Sequence, residues 1–191
     1  VALHAVGLSG IEAGQAAVVT GAGPIGLLVV EVRKERGVQP ILVSEPSGLR
    51  RAIAARLELD QVVDPSAVSL ADLVRSQTGR GVHVVFECSG SPAAAELGLG
   101  LLRPAGSLMI VGSSERSFSL STLMLMAREL RVQGVYGNPG LYAAALEMLA
   151  AGKIHAQDII TRIVPLAEAE ACLRELADSP VEGKVLVEPW L

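Results

Sequence analysis

Ala16-Ala17-Val18-Val19-Thr20-Gly21-Ala22-Gly23-Pro24-Ile25-Gly26 is the stretch that decides the fold. Its first five residues form a short apolar run, as a buried strand would, and the run stops at two glycines one residue apart. Ile25, Leu28, Val29 and Val32 then recur at spacings of three and four, with Arg33, Lys34 and Arg36 on the opposite face. That pattern predicts an amphipathic helix ended by Gly37. Gly21, Gly23 and Gly26 therefore spell GxGxxG between a strand and a helix. In a chain with twenty glycines the pattern alone is weak, and its strand-turn-helix setting makes it specific. Gly21 allows the tight turn, Gly23 lets a diphosphate approach the backbone, and Gly26 lets helix and strand pack closely. The helix start offers N–H groups and partial positive charge to the phosphates, and Pro24 is well tolerated in a first turn.

Working outward, Ile41 to Ser44 reads as a second strand, with Ser47 capping a helix that runs to about Leu59. Val62-Val63 is a third strand, and Ser69 caps a helix that ends at Thr78-Gly79. Val82 to Phe86, Ser107 to Val111 and Leu130 to Tyr136 supply three more strands. A helix from Ala93 to Leu102 and the turn Pro104-Ala105-Gly106 join the fourth to the fifth, and a looser stretch precedes the sixth. The expected class is α/β: a Rossmann-type, doubly wound, six-stranded parallel sheet in the order 3-2-1-4-5-6. Residues 1–151 form this unit, with 1–14 as a linking helix that opens in mid-element, as in an excised domain. Residues 152–191 are surplus to the sheet and contain a strand near Ile159 to Val164, a helix near Glu168 to Ala177 and a strand from Lys184 to Val187.

Half of the 191 residues are hydrophobic but only 3% are aromatic, so the core must be aliphatic, which suits parallel strands covered by helices. A net charge of -4 with no basic cluster argues against a nucleic-acid partner. No apolar run approaches the roughly 20 residues of a membrane span, and no signal peptide is evident. The two cysteines, Cys88 and Cys172, have no metal or disulfide spacing, which fits free thiols in the cytoplasm.

Glu45 ends the second strand about twenty residues after the glycines, where a carboxylate can accept hydrogen bonds from ribose hydroxyls and repel a 2′-phosphate. It favours NAD over NADP. Arg50 can stack on the adenine face; Arg51 reads equally well as a solvated helix residue. Ligands of open α/β sheets bind beyond the carboxyl ends of the strands. Three of those ends are Cys88-Ser89-Gly90, Val111-Gly112-Ser113 and Val135-Tyr136-Gly137, whose small residues leave room for the nicotinamide half. His4, His83 and His155 match no metal spacing, Cys88 has no partner base, and no catalytic acid or base is assigned.

The stretch LHAVGLSGIEAGQAAVVTGAGPIGLL resembles the medium-chain zinc-dependent alcohol dehydrogenases, most of all the L-threonine 3-dehydrogenase, sorbitol and butanediol dehydrogenase branch. ILVSEPSGLRRAIA, GRGVHVVFECSG, LLRPAGSLMIVG, RELRVQGVYGNP and VEGKVLVEP follow in the family's order. The resemblance implies a GroES-like catalytic domain, outside these residues, that carries the zinc and the alcohol contacts and is completed by the segment after Gly152. It implies cofactor contacts at Ile25, Glu45, Arg50, Val111 to Ser113, and Val135-Tyr136, hydride transfer between a secondary alcohol and NAD, and a homo-oligomer, dimer or tetramer. His83 stands where the family has aspartate, and Glu58-Leu59-Asp60 replaces Gly-Ala-Asp, both away from the phosphate loop. Two other readings stay open: a zinc-free NADPH-dependent quinone or enoyl reductase of the same superfamily, and a regulatory NAD-binding module without turnover.

Overall fold

A computed structural model describes residues 1–57, 59, 61–178 and 183–190. Glu58 and Asp60, where the sequence departs from the family, and Val181-Glu182 of the closing motif lie outside the described residues.

The central sheet is built from β1 (Ala17–Thr20), β2 (Ile41–Ser44), β3 (Gln61–Val63), β4 (Val82–Glu87), β5 (Leu102–Ile110) and β6 (Arg131–Gly134), in the order 3-2-1-4-5-6. Every pairing is parallel. Successive side chains alternate between two cores: Ala17, Val19, Val84 and Phe86 face one, Ala16, Val18, Val82 and Val85 the other. Helices α1 (Ala2–Ser9), α2 (Pro24–Lys34) and α3 (Gly48–Ala55) cover the first face; α4 (Leu70–Thr78), α5 (Pro92–Leu101) and α6 (Thr122–Arg128) cover the second. Ser47 and Ser69 cap α3 and α4 as expected, each side chain accepting a backbone N–H three residues on.

Four sequence expectations need correction. Pro104-Ala105-Gly106 is not a turn before β5 but lies within it, where Ala105 takes φ 60° and the pairing register shifts, so the strand starts five residues early. The looser stretch before β6 contains α6, capped by Ser121. Regular pairing of β6 stops at Gly134, although the Val135 N–H still donates to the Ile110 carbonyl at 2.8 Å. The fourth concerns α2. Of its expected solvent face Arg36 is exposed and Lys34 partly so, but Arg33 is buried, as is Glu31, while Ile25 and Leu28 of the expected core face are only partly buried. The reason is that the Arg33 guanidinium lies over Phe86 of β4, while α1 packs along α2 and α8 (Ala156–Ile159) closes on it at Glu31 from the C-terminal segment. Glu31 anchors that closure, its carboxylate accepting the His155 N–H at 3.0 Å and facing His155 Nδ1 at 2.9 Å. Beyond α7 (Tyr142–Ala150) and α8, the chain forms β7 (Ile160–Pro165), α9 (Ala169–Asp178) and β8 (Lys184–Glu188), with β7 and β8 paired in a separate two-stranded parallel sheet.

Candidate cofactor site

The glycine loop joins β1 to α2 at the carboxyl edge of the sheet, where β1 has β2 on one side and β4 on the other. Gly21 has φ +93°, and a Cβ there would stand 2.9 Å from the Ser89 nitrogen in the loop after β4. A Cβ on Gly26 would stand 2.0 Å from the Gly21 carbonyl oxygen. Both positions therefore exclude any larger residue, and the loop closes tightly on the start of α2. Gly23 differs: a Cβ there would meet nothing within 4 Å. It is the N-cap of α2, no side chain caps that helix, and Pro24 occupies its first turn. The open space over Gly23 and the uncapped helix start fit a diphosphate, which needs close backbone approach and N–H donors.

Glu45 is buried and holds two backbone groups. One carboxylate oxygen accepts the Ala22 N–H at 2.7 Å, and the other accepts the Ser47 N–H at 2.8 Å. It thus ties the loop after β2 to the glycine loop. Arg51 is no solvated helix residue. Its Nη1 donates to the carbonyls of Glu45 and Pro46, and its Nη2 lies 3.0 Å from Asp64 Oδ2. Hydrogen bonds from Ser66, with the Arg51 charge adding, hold the Asp64 carboxyl below its usual range. Arg50, at the start of α3, is half-buried, and its N–H meets the Ser47 hydroxyl at 3.4 Å. Between these loops lies a mainly apolar cleft of about 260 Å³, with Gly21, Pro46, Pro65, Ser89 and Ala93 in its walls.

At the ends of β4 and β5 the structure adds a residue that sequence reasoning missed. Glu87 is buried, and its carboxylate accepts N–H bonds from Ser89 at 2.8 Å and Gly90 at 3.0 Å, as well as the Ser89 hydroxyl. Its carbonyl accepts the N–H groups of Val111 and Gly112, both at 2.8 Å. Glu87 therefore fixes both loops together. Its sequence signal was a charged residue ending a strand otherwise destined for burial. Gly112 is pressed against this knot, since a Cβ there would stand 2.3 Å from the Gly90 nitrogen. Ser113 lines a second cleft, of about 250 Å³, toward α5.

The remaining sequence-derived residues lie on the α2 side. Ile25, Cys88 and Val111 pack against the same core cluster that contains Val135. The register sets Ile110 beside Gly134, so Val111 and Val135 follow as neighbours. Tyr136 is 95% exposed. Burial first, and then the Glu87 charge, push the Cys88 thiol well above its usual range, so it stays protonated at neutral pH. His83 lies at the amino end of β4, its Nδ1 taking the Ala16 N–H at 3.1 Å, far from the glycine loop. Among the described residues no three His, Cys, Asp or Glu side chains converge as a metal site.

Residues 24–151 match the family model described as zinc-binding dehydrogenase. The chain belongs to the zinc-binding dehydrogenase family. It carries the cofactor-binding part of that oxidoreductase fold. The chain is 35% identical to the L-threonine 3-dehydrogenase of Thermococcus kodakarensis over 158 residues, 81% of this chain and 45% of that protein. It superposes on the 2R,3R-butanediol dehydrogenase of Bacillus subtilis with TM-score 0.90 and 32% identity, covering 99% of this chain and 55% of the other. A Sinorhizobium meliloti structure described as bound to NADP gives TM-score 0.87 and 31% identity, covering 98% and 56%. The chain spans about half the length of the relatives it matches. No described helix is long and apolar enough to cross a membrane.

Proposed function

We propose that this chain holds NAD as the cofactor-binding part of a zinc-dependent alcohol or polyol dehydrogenase. In that enzyme hydride passes between a secondary alcohol and the nicotinamide. One observation carries the reading: the glycine loop is closed by contact at Gly21 and Gly26 but open at Gly23, with the Glu45 carboxylate 2.7 Å from the Ala22 nitrogen beside it. In this reading the diphosphate rests on the start of α2. The adenosine enters the cleft between Pro46 and Ala93, with Arg50 beside the adenine. Glu45 accepts the ribose hydroxyls with the lone pairs that Ala22 and Ser47 leave free. The nicotinamide lies against Ile25, Val111 to Ser113 and Val135-Tyr136. When bound, the dinucleotide supplies the hydride acceptor; the chain's own residues bind it, orient it and exclude water.

The zinc and the alcohol contacts are assigned to a GroES-like domain outside residues 1–191, with 1–14 linking to it and 152–191 completing it. These residues alone are then expected to bind NAD without turning over alcohol. Two features support a homo-oligomer: all four residues of β6 are exposed, and its outer edge has no neighbouring strand in the sheet. A cytoplasmic setting is supported by two cysteines that form no disulfide.

Titration with NADH and with NADPH, followed by nicotinamide fluorescence, tests the cofactor. The expected result is tighter NADH binding, lost in Glu45→Ala. The NADP-bound relative makes the NADPH-dependent reading the rival, and tighter NADPH binding by this chain would establish it.

A further inference from the structure

Among the described residues, Arg33 is a core side chain that neither the fold nor the cofactor loop explains. Its side chain is completely buried, and its Nε, Nη1 and Nη2 have no hydrogen-bond partner among the described residues. The guanidinium lies over the Phe86 ring, 5.0 Å from its centre. Buried charges are ordinarily paired, so an unpaired one calls for a functional explanation. No nearby group pairs with it by hydrogen bond among the described residues. Glu31, on the same helix, is committed to His155 and stands 3.8 Å from Lys34. The Cys88 thiol is held in its neutral form. The Glu87 carboxylate keeps its charge but gives its hydrogen bonds to Ser89 and Gly90, not to Arg33. Burial lowers the Arg33 pKa to about 9, which still leaves it cationic at neutral pH.

Its position follows from the strand register. Phe86 pairs with Met109, and Val111 lies two residues further toward the carboxyl edge, about 7 Å along the strand. Cys88, Val111 and Val135 sit on the same face of the sheet as Phe86. The guanidinium is therefore set one pleat beneath the residues assigned to the nicotinamide.

We propose that Arg33 determines which oxidation state of the dinucleotide this chain prefers, by holding a fixed positive charge beneath the nicotinamide site. The inference rests on the cofactor reading above. Oxidised nicotinamide carries a positive charge and reduced nicotinamide carries none, while the diphosphate is common to both. A fixed cation beneath the ring therefore disfavours NAD⁺ relative to NADH; for two unit charges roughly 12 Å apart at an effective dielectric constant of about 20, Coulomb's law gives about a factor of ten.

The test is calorimetric titration of the full chain with NAD⁺ and with NADH. It uses the wild type, Arg33→Met and Arg33→Gln, which remove the charge, and Arg33→Lys, which keeps one. The wild type is expected to bind NADH more tightly. The neutral variants should raise the affinity for NAD⁺ relative to NADH about tenfold, whatever happens to the two together, and Arg33→Lys should keep the wild-type ratio. A ratio unchanged in folded neutral variants overturns the proposal. So does a wild type that binds NAD⁺ at least as tightly as NADH, a result that needs no variant to fold. A wild type that binds neither dinucleotide overturns the cofactor reading itself.

Discussion

The two sheets of this chain treat their surfaces in opposite ways. β1 and β2 are buried at every residue, their faces covered by helices from within the chain. β7 and β8 expose several of their residues, and Ile163, Leu186 and Val187 are apolar side chains among them. Composition does not separate the two, since both are rich in Val, Ile and Leu. Covering helices do. The difference teaches that the first sheet is finished at its centre, with polar groups paired at the carboxyl edge and the end strand β6 exposed, whereas the second leaves apolar surface that the described residues do not cover.

The largest expected effect lies where the finished sheet is most tightly closed. Gly26→Ala forces a Cβ to within 2.0 Å of the Gly21 carbonyl, and denaturant unfolding should show a loss of about 3 kcal/mol together with loss of dinucleotide binding. Glu87→Gln replaces acceptors for Ser89 and Gly90 with an amide that can satisfy only part of the set. It should cost about 2 kcal/mol and loosen the loops after β4 and β5, which hydrogen exchange at Gly90 and Gly112 would detect.

A smaller effect is expected at the amino edge. Burial and the neighbouring Arg103 lower the His83 pKa below 6.5. The folded state therefore resists protonation that the unfolded chain accepts. The His83 contribution to stability is present above pH 6.5 and is lost as the pH falls through the lowered folded value. Thermal unfolding between pH 5 and 8 should show this dependence, and His83→Asn should flatten it. The smallest effect belongs to the open region: Leu173→Ser on α9, at a side chain 67% exposed, should change stability by less than about 0.5 kcal/mol. A cost of several kcal/mol there would erase the contrast between the two sheets.

The legible parts of the sequence were those governed by local rules. Val18-Val19 before Gly21, and the Ser47 and Ser69 caps, each announce their structure within a few residues. The strand order follows from alternating strands and crossovers. What stayed hidden depends on distant packing. Arg33 reads as a solvated residue until α2 packs on the sheet and sets its guanidinium over Phe86, and no local periodicity reports that. Ala105 looks like a turn residue because its backbone is one, although the strand runs on through it. In the site, the tight approaches at Gly21 and Gly26 were readable from their spacing, whereas the bonds of Glu45 to Ala22 and Ser47 were not. Nor were Glu87 and Arg51, because their partners are backbone atoms brought near by folding.

The double duty proposed for Glu45 has a practical consequence for anyone wishing to re-engineer the coenzyme. The carboxylate that would turn away a phosphorylated ribose is also the staple joining two loops, through Ala22 and Ser47. Swapping it for a neutral or basic side chain removes the repulsion and unfastens the cradle in the same stroke. A successful redesign must therefore supply a new acceptor for those two amides before it invites the bulkier guest.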